Sequence, residues 1–424
     1  MQSAAHQEKH FQQYIIDRLV EQGWKLGDSK FYDTERAVYP EDLESWIKTS
    51  GQQEKWDKLE RLNGAKTLEV LMDRLDKALE KQGTMQVLRQ GFSIAGCGLI
   101  EMTEAAPEDK RNAAVIERYQ ANILRVVPEL KYHPAREFAI DLVLFINGLP
   151  VATVELKTDF TQSCEAAMDQ YRNDRLPYDA KTKRREPLLT FKRGAVVHFA
   201  MSDSEIMMAT KLDGENTFFL PFNKGRKDES GTVHAGNPPG EIKADGTQEY
   251  PVAYFWEAVC QPDAWLRIFH SFVYVEKKDV VDIQGNWSKK ETLIFPRFHQ
   301  WTAVNQMLAD ARENGAGMTY LCDHSAGSGK TSTISWTAHD LVKLREDNGD
   351  AVFNSVIIVT DRNVLDGQLQ DAVKQIDHQF GVIAAIDRQK SSKSKSKQLS
   401  EALLSGTPIV VVTIQTFPYA MEAI

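Results

Sequence analysis

Three charged residues interrupt a stretch that is otherwise apolar enough for the middle of a sheet. The run 138–158 reads FAIDLVLFINGLPVATVELKT and carries Asp141, Glu155 and Lys157. Strand alternation puts Val151, Thr153, Glu155 and Lys157 on one face and Ala152, Val154 and Leu156 on the other, while Asp141 shares its face with Val143 and Phe145. Two carboxylates beside a backbone carbonyl make a hard oxygen site suited to Mg²⁺, which can activate water and neutralise a pentavalent phosphate. Lys157 would then orient the water or stabilise developing negative charge. The competing reading is a structural ion pair between Lys157 and one of the acids.

Whether Asp141 meets Glu155 depends on the hairpin between them, because a one-residue slip reverses every side chain. A two-residue Asn147-Gly148 loop pairs Asp141 with Val154 and separates the carboxylates. A three-residue Ile146-Asn147-Gly148 loop pairs Asp141 with Thr153 and leaves Glu155 diagonally across on the same face. An odd-length loop is therefore expected if the two acids share a cation.

A second constellation, MTYLCDHSAGSGKTST (318–333), reads as a short strand, a Gly-rich turn and a helix. In such a turn backbone N–H groups cradle phosphate, Lys330 reaches the outer phosphates and Thr331 ligates Mg²⁺. His324 stands where G-x-x-x-x-G-K-T has its first glycine, but Gly327, Ser328, Gly329, Lys330 and Thr331 keep the expected context.

These groups need elements to hold them. A length of 424 residues suits two domains with separate cores. Residues 8–24 place Phe11, Ile15 and Leu19 at helical spacing, and 40–90 are rich in helix formers. From Phe138 to about Ala209 short β-branched runs read as strands. The Gly-, Pro- and charge-rich run 223–251 is the expected linker. Beyond it helices alternate with MTYLC, VIIVT and IVVVTI, the pattern of a parallel α/β sheet. Hydrophobic content of 42% and charged content of 26% are those of a globular protein, and no apolar run is long enough for a membrane span. Four dispersed cysteines fit a reducing cytoplasm, and a net charge of -9 leaves nucleic acid open as a partner.

Asp141 followed by Glu155-x-Lys157 resembles the PD-(D/E)xK nuclease core. IDLVLFINGLPVATVELK, LRQGF, QYRNDR and TFFLPFN resemble the nuclease domain of the restriction (R) subunit of type I restriction-modification enzymes. The resemblance implies catalytic roles for Asp141, Glu155 and Lys157, with Asp141 and Glu155 as metal ligands. Glu8, on the apolar face of the first helix, matches the family's first-helix acid and third ligand. The family's Q-x-x-x-Y element starts at Gln170, a further catalytic candidate, but Asp174 fills its fourth place and Tyr171 is adjacent to Gln170 instead, so core packing competes as the reading of both Gln170 and Tyr171. Further on, FPRFHQW is similar to the adenine-recognising element of superfamily 2 motors, implying that role for Gln300 with Arg297 nearby. Asp361, Arg362 and Gln368, then Thr413 and Gln415, resemble motor motifs that touch the DNA backbone.

The implied architecture is α/β: a PD-(D/E)xK nuclease-like domain over 1–250 and a first RecA-like motor lobe over 251–424, ending before the DExH motif. The implied function is an R subunit that cleaves DNA with Mg²⁺ and translocates it with ATP, alongside modification and specificity subunits. A repair nuclease-helicase and a non-catalytic docking subunit are the alternatives. Lys181–Gly194 is a further candidate for phosphate contacts. Lys390–Lys397 reads as a low-complexity loop.

Overall fold

A computed structural model describes residues 4–107, 111–159, 163–179, 181–281, 285–346, 348–361, 363–376, 383–385 and 395–416. The chain divides into two compact units, Met1–Pro107 with Ala113–Val273, and a second comprising mainly Tyr274–Ile424. The division falls after Val273, not at 250. Residues 223–251 include a two-stranded ladder rather than an open linker. The chain beyond them stays in the first unit because its aromatic residues are core: Tyr254, Phe255, Trp256, Trp265 and Phe269 are buried.

The first unit opens with α1 (Ala4–Glu21), whose Phe11, Ile15 and Leu19 are buried as their spacing requires. β1 (Lys25–Leu26) precedes a helical block of α2 (Pro40–Thr49), α3 (Gln53–Asn63), α4 (Thr67–Gln82) and α5 (Thr84–Gln90). Pro40 at the first turn of α2 removes an N–H that would lack a partner in any case. A small hairpin, β2 (Phe92–Ile94) and β3 (Gly98–Ile100), and α6 (Ala113–Gln120) lead to β4 (Leu124–Lys131), β5 (Ala139–Ile146) and β6 (Leu149–Leu156). Then follow α7 (Cys164–Asn173), β7 (Val197–Met201), β8 (Ile206–Ala209), β9 (Leu220–Pro221), the ladder β10 (Arg226–Lys227) with β11 (Val233–His234), and α8 (Pro262–Arg267).

Seven of these strands form one sheet in the order β1-β4-β5-β6-β7-β8-β9. It is mixed: β1 with β4 and β6 with β7 are parallel, the other neighbours antiparallel. Val143 and Phe145, on the face Asp141 shares, enter a core cluster with Ala167 and Tyr171 of α7. Burying each such large side chain contributes about 1.5–3 kcal/mol.

The β5–β6 hairpin differs from the odd-length loop expected. Ile146 pairs with Leu149 across a two-residue turn, and Asn147 (φ 48) and Gly148 (φ 86) are both left-handed, as the commonest two-residue hairpin turn requires. The parity changes further along. Phe145 pairs with Pro150 but Leu144 pairs with Ala152, so Val151 is an extra residue in β6, a β-bulge. Pro150 has no N–H to give the ladder, which is why the irregularity sits there. The ladder's last pair is Leu142 with Val154, and carrying that register one step further sets Asp141 against Glu155, whose carboxyl feels the Asp141 charge.

The second unit starts with a hairpin, β12 (Tyr274–Val281) and β13 (Trp287–Ile294). It continues through α9 (Phe298–Asn314), α10 (Lys330–Lys343), β14 (Val356–Thr360), α11 (Asn363–Ile376), β15 (Ile383–Ala385), α12 (Lys395–Leu404) and β16 (Ile409–Thr413). The sheet order is β14-β16-β15, all parallel, with Ile358, Val373, Ile409 and Val411 in its core. The strand expected at 318–322 is absent. That segment is irregular, Leu321 is 94% exposed, and the Tyr320 hydroxyl donates to Asp310 of α9, so it leans on a helix instead of joining the sheet. Among the described residues no helix is long and apolar enough to cross a membrane.

Candidate functional site

The bulge and the end of α1 together build a small polar centre at the C-terminal end of β6. Asp141 Oδ2 accepts the Leu156 N–H at 2.6 Å, which locks its side chain against the opposing strand. Glu155 is fully buried, and Arg175 Nε donates to its Oε1 at 2.5 Å, while Oε2 has no hydrogen-bond partner. Lys157, just past the strand, donates to the Leu156 carbonyl at 2.7 Å and lies 3.5 Å from Glu8 Oε2. One turn along α1 from Glu8, Gln12 donates to the Asp141 carbonyl at 2.7 Å and to Glu129 Oε1 at 3.4 Å. Glu8, Lys9, Gln12, Glu129, Asp141 and Leu156 line a cavity of about 70 Å³.

The electrostatics follow from this crowding. Burial, then the neighbouring Asp141 charge, push the Glu155 carboxyl well above its ordinary range, against the pull of Arg175 and Lys157. Burial raises Glu8 as well; Lys157 opposes it, and Asp141 and Glu129 add to it. Glu129 occupies a left-handed backbone position at φ 45, strain that a non-glycine residue keeps only when its surroundings hold it there.

Structure thus brings Glu8, Asp141, Glu155 and Lys157 together. Glu8 sits beside the Lys157 ammonium. Gln170 is half-buried on α7, its carbonyl accepting the Arg175 N–H at 3.1 Å. Tyr171 is core: its hydroxyl bonds Thr153 Oγ1 at 2.8 Å, and Thr153 in turn bonds His198 Nδ1 at 2.7 Å. Gln12, Glu129 and Arg175 are site residues that no sequence motif marks, although Gln12 lies in the amphipathic run 8–24 and Arg175 in the QYRNDR run.

Among the described residues no three His, Cys, Asp or Glu side chains form a ready-made metal cage. A pair does suit a divalent cation. The orphaned, buried Glu155 Oε2 and its half-buried, like-charged neighbour Asp141 are carboxylates whose mutual repulsion a hard cation would relieve, with substrate oxygens and water completing its shell.

The basic run at 181–194 is engaged within the unit. Arg193 pairs with Asp76 at 2.6 Å and Glu80 at 3.2 Å, and Arg184 with Glu35 at 2.6 Å. Most of Lys390–Lys397 lies outside the described residues.

In the second unit Gly327 (φ 75) and Gly329 (φ 83) supply the left-handed turns that lead into α10, which begins at Lys330. Residues at the start of α9 clamp the turn. Arg297 Nη2 donates to the Gly327 carbonyl at 2.8 Å, His299 Nε2 to Ser328 at 3.1 Å and Gln300 Nε2 to Gly329 at 2.9 Å. Gln300 Oε1 accepts the Arg297 N–H at 2.9 Å, so one end of its amide caps its own helix and the other holds the loop. Lys330 Nζ donates to the His324 carbonyl at 2.6 Å, and Thr331 is exposed. The Ser328 hydroxyl is buried without a hydrogen-bond partner. Gln415 donates to the Asp361 carbonyl at 3.2 Å, joining two of the later motifs. Arg362 and the Gln368 side chain lie outside what the structure describes.

Comparison with known proteins adds an independent line. The family model of the type I restriction enzyme R protein N terminus matches residues 6–217, and that of the SWI2/SNF2 ATPase matches 299–423. The chain is 24% identical over 254 residues to the type I restriction enzyme HindI endonuclease subunit of Haemophilus influenzae, covering 56% of this chain and 21% of that protein. It is 23% identical over 261 residues to a putative type I restriction enzyme endonuclease subunit of Methanocaldococcus jannaschii, covering 60% of this chain and 21% of the relative. The matched part is thus about a fifth of each relative's length.

Proposed function

Because the chain belongs to the type I restriction enzyme R protein family, with an ATPase-like region after its N-terminal half, we propose that it is the part of an R subunit that cuts DNA and begins its motor. The observation that carries this is Asp141 standing opposite Glu155, with Lys157 beside Glu8 at the same end of the sheet. Asp141 and Glu155 would hold Mg²⁺. Bound there, the ion supplies Lewis-acid activation of water and neutralises charge on the scissile phosphate.

The chain's own groups do the rest. The Leu156 N–H fixes Asp141, and Gln12 ties α1 to the Asp141 backbone, so Glu8 is held near Lys157. Lys157 Nζ, held at this edge of the site by the Leu156 carbonyl and Glu8, would orient the attacking water and meet negative charge as it develops. Glu8 balances that ammonium and limits where it can point.

In the second unit the Gly327–Thr331 turn is the reading's ATP site, with Lys330 for the outer phosphates and Thr331 for the accompanying Mg²⁺. Double-stranded DNA is cleaved at the first site and moved at the expense of ATP by the second, and the modification and specificity subunits of the same enzyme are the partners. The reading is tested in the reconstituted enzyme, where Lys157→Ala should abolish cleavage while ATP-driven translocation persists. Loss of both activities in a folded variant would contradict the division of labour.

A further inference from the structure

Arg175 lies just beyond α7, 8% exposed, and its Nε donates to Glu155 Oε1 at 2.5 Å. A glutamate has three rotatable side-chain bonds, and Glu155, buried at the edge of the reacting centre, has two equivalent oxygens that could each turn either way. The guanidinium removes that freedom. It is a rigid fork, weakly hydrated and suited to buried carboxylates, and its own backbone is anchored by the N–H bond to the Gln170 carbonyl at 3.1 Å. One oxygen of Glu155 is thereby committed and the other left without a hydrogen bond. We propose that Arg175 is a positioning residue for DNA cleavage, fixing Oε1 of Glu155 so that Oε2 remains the oxygen offered to a divalent cation shared with Asp141.

This rests on the metal-dependent nuclease reading above. It also explains why the QYRNDR run matters although its fourth place after Gln170 is Asp174: the chain turns out of α7 at Asp174 and delivers Arg175 to Glu155. A guanidinium kept only for charge balance and one kept for positioning predict opposite changes in metal affinity. Deleting a positive charge near a cation site should strengthen cation binding, whereas releasing the Glu155 side chain should weaken it. Loss of a partner that orients a metal ligand typically weakens affinity about 10- to 100-fold.

The test is Mn²⁺ binding to the full chain, read from the free-ion electron paramagnetic resonance signal, with thermal melting as the check on folding. Glu155→Gln should remove the tight Mn²⁺ site in the first unit. Arg175→Gln should weaken it about tenfold or more, and Arg175→Lys should recover part of the loss. Unchanged or tighter Mn²⁺ binding in folded Arg175→Gln, with Glu155→Gln still defective, would overturn the positioning role alone. Should Arg175→Gln fail to fold, Arg175→Lys decides: lysine is a point charge without the fork, so affinity equal to wild type would overturn the proposal. If Glu155→Gln keeps wild-type binding, the metal reading falls and the positioning role with it.

Discussion

Asp141 stands opposite Glu155 because Val151 is an extra residue in its strand. The two-residue turn at Asn147-Gly148 alone would set Asp141 against Val154; the bulge shifts the ladder by one and restores the facing pair. The turn is as constrained as the bulge. Asn147 accepts the Ile123 N–H at 2.6 Å and donates to the Met102 carbonyl at 2.8 Å, and a Cβ at Gly148 would lie 2.6 Å from the Tyr39 carbonyl oxygen.

Gly148→Ala should therefore destabilise the first unit by about 2–3 kcal/mol, combining a left-handed backbone with a backbone clash. Urea unfolding followed by tryptophan fluorescence should show the loss as a lower midpoint. A midpoint equal to wild type would mean that the turn relaxes freely and does not fix the register.

The facing pair was half legible in the sequence. Residue types and alternation placed Glu155 and Lys157 on one face, and the apolar run marked both strands. Loop length alone does not set the register; the informative residue is Pro150, because a proline inside a buried strand signals a bulge. Arg175 and Gln12 were out of reach, since each meets the site across tertiary distance. The segment 318–322 shows the opposite limit, for apolar β-favouring residues make a strand only where a neighbouring edge pairs with them. The run 223–251 misled by composition, because the aromatic residues after it, not the glycines within it, decide where the unit ends.

His198 predicts a pH dependence. Burial holds its imidazole down to about 3 from the ordinary 6.5, beside Thr153. Between those values the unfolded chain binds a proton that the folded one refuses. Stability is full above about pH 6.5 and falls as pH drops toward 3, by up to about 1.4 kcal/mol per pH unit. Urea midpoints at pH 7, 6 and 5 should fall for wild type and fall less for His198→Gln. Identical slopes for the two would show that His198 does not drive the acid loss.

The nucleotide turn yields a separate expectation. With its amide N–H holding the Gly329 carbonyl, Gln300→Ala should weaken ATP and GTP binding alike, about fivefold for one lost hydrogen bond worth about 1 kcal/mol. Lys330→Ala should reduce binding further. Fluorescent-nucleotide titrations check both, and a Gln300→Ala defect confined to ATP would assign the glutamine to the base instead of the loop.

Metal-dependent cleavage at the carboxylate pair of the bulged hairpin can be measured as nicking of supercoiled DNA by the purified chain in Mg²⁺, with and without Asp141→Asn. Asp141→Asn keeps the side chain's shape and removes its charge. Wild type should nick the DNA in a reaction that chelation stops and that Asp141→Asn slows by about 100-fold or more. Equal nicking by wild type and Asp141→Asn, or nicking indifferent to chelation, would contradict metal-dependent cleavage at this pair.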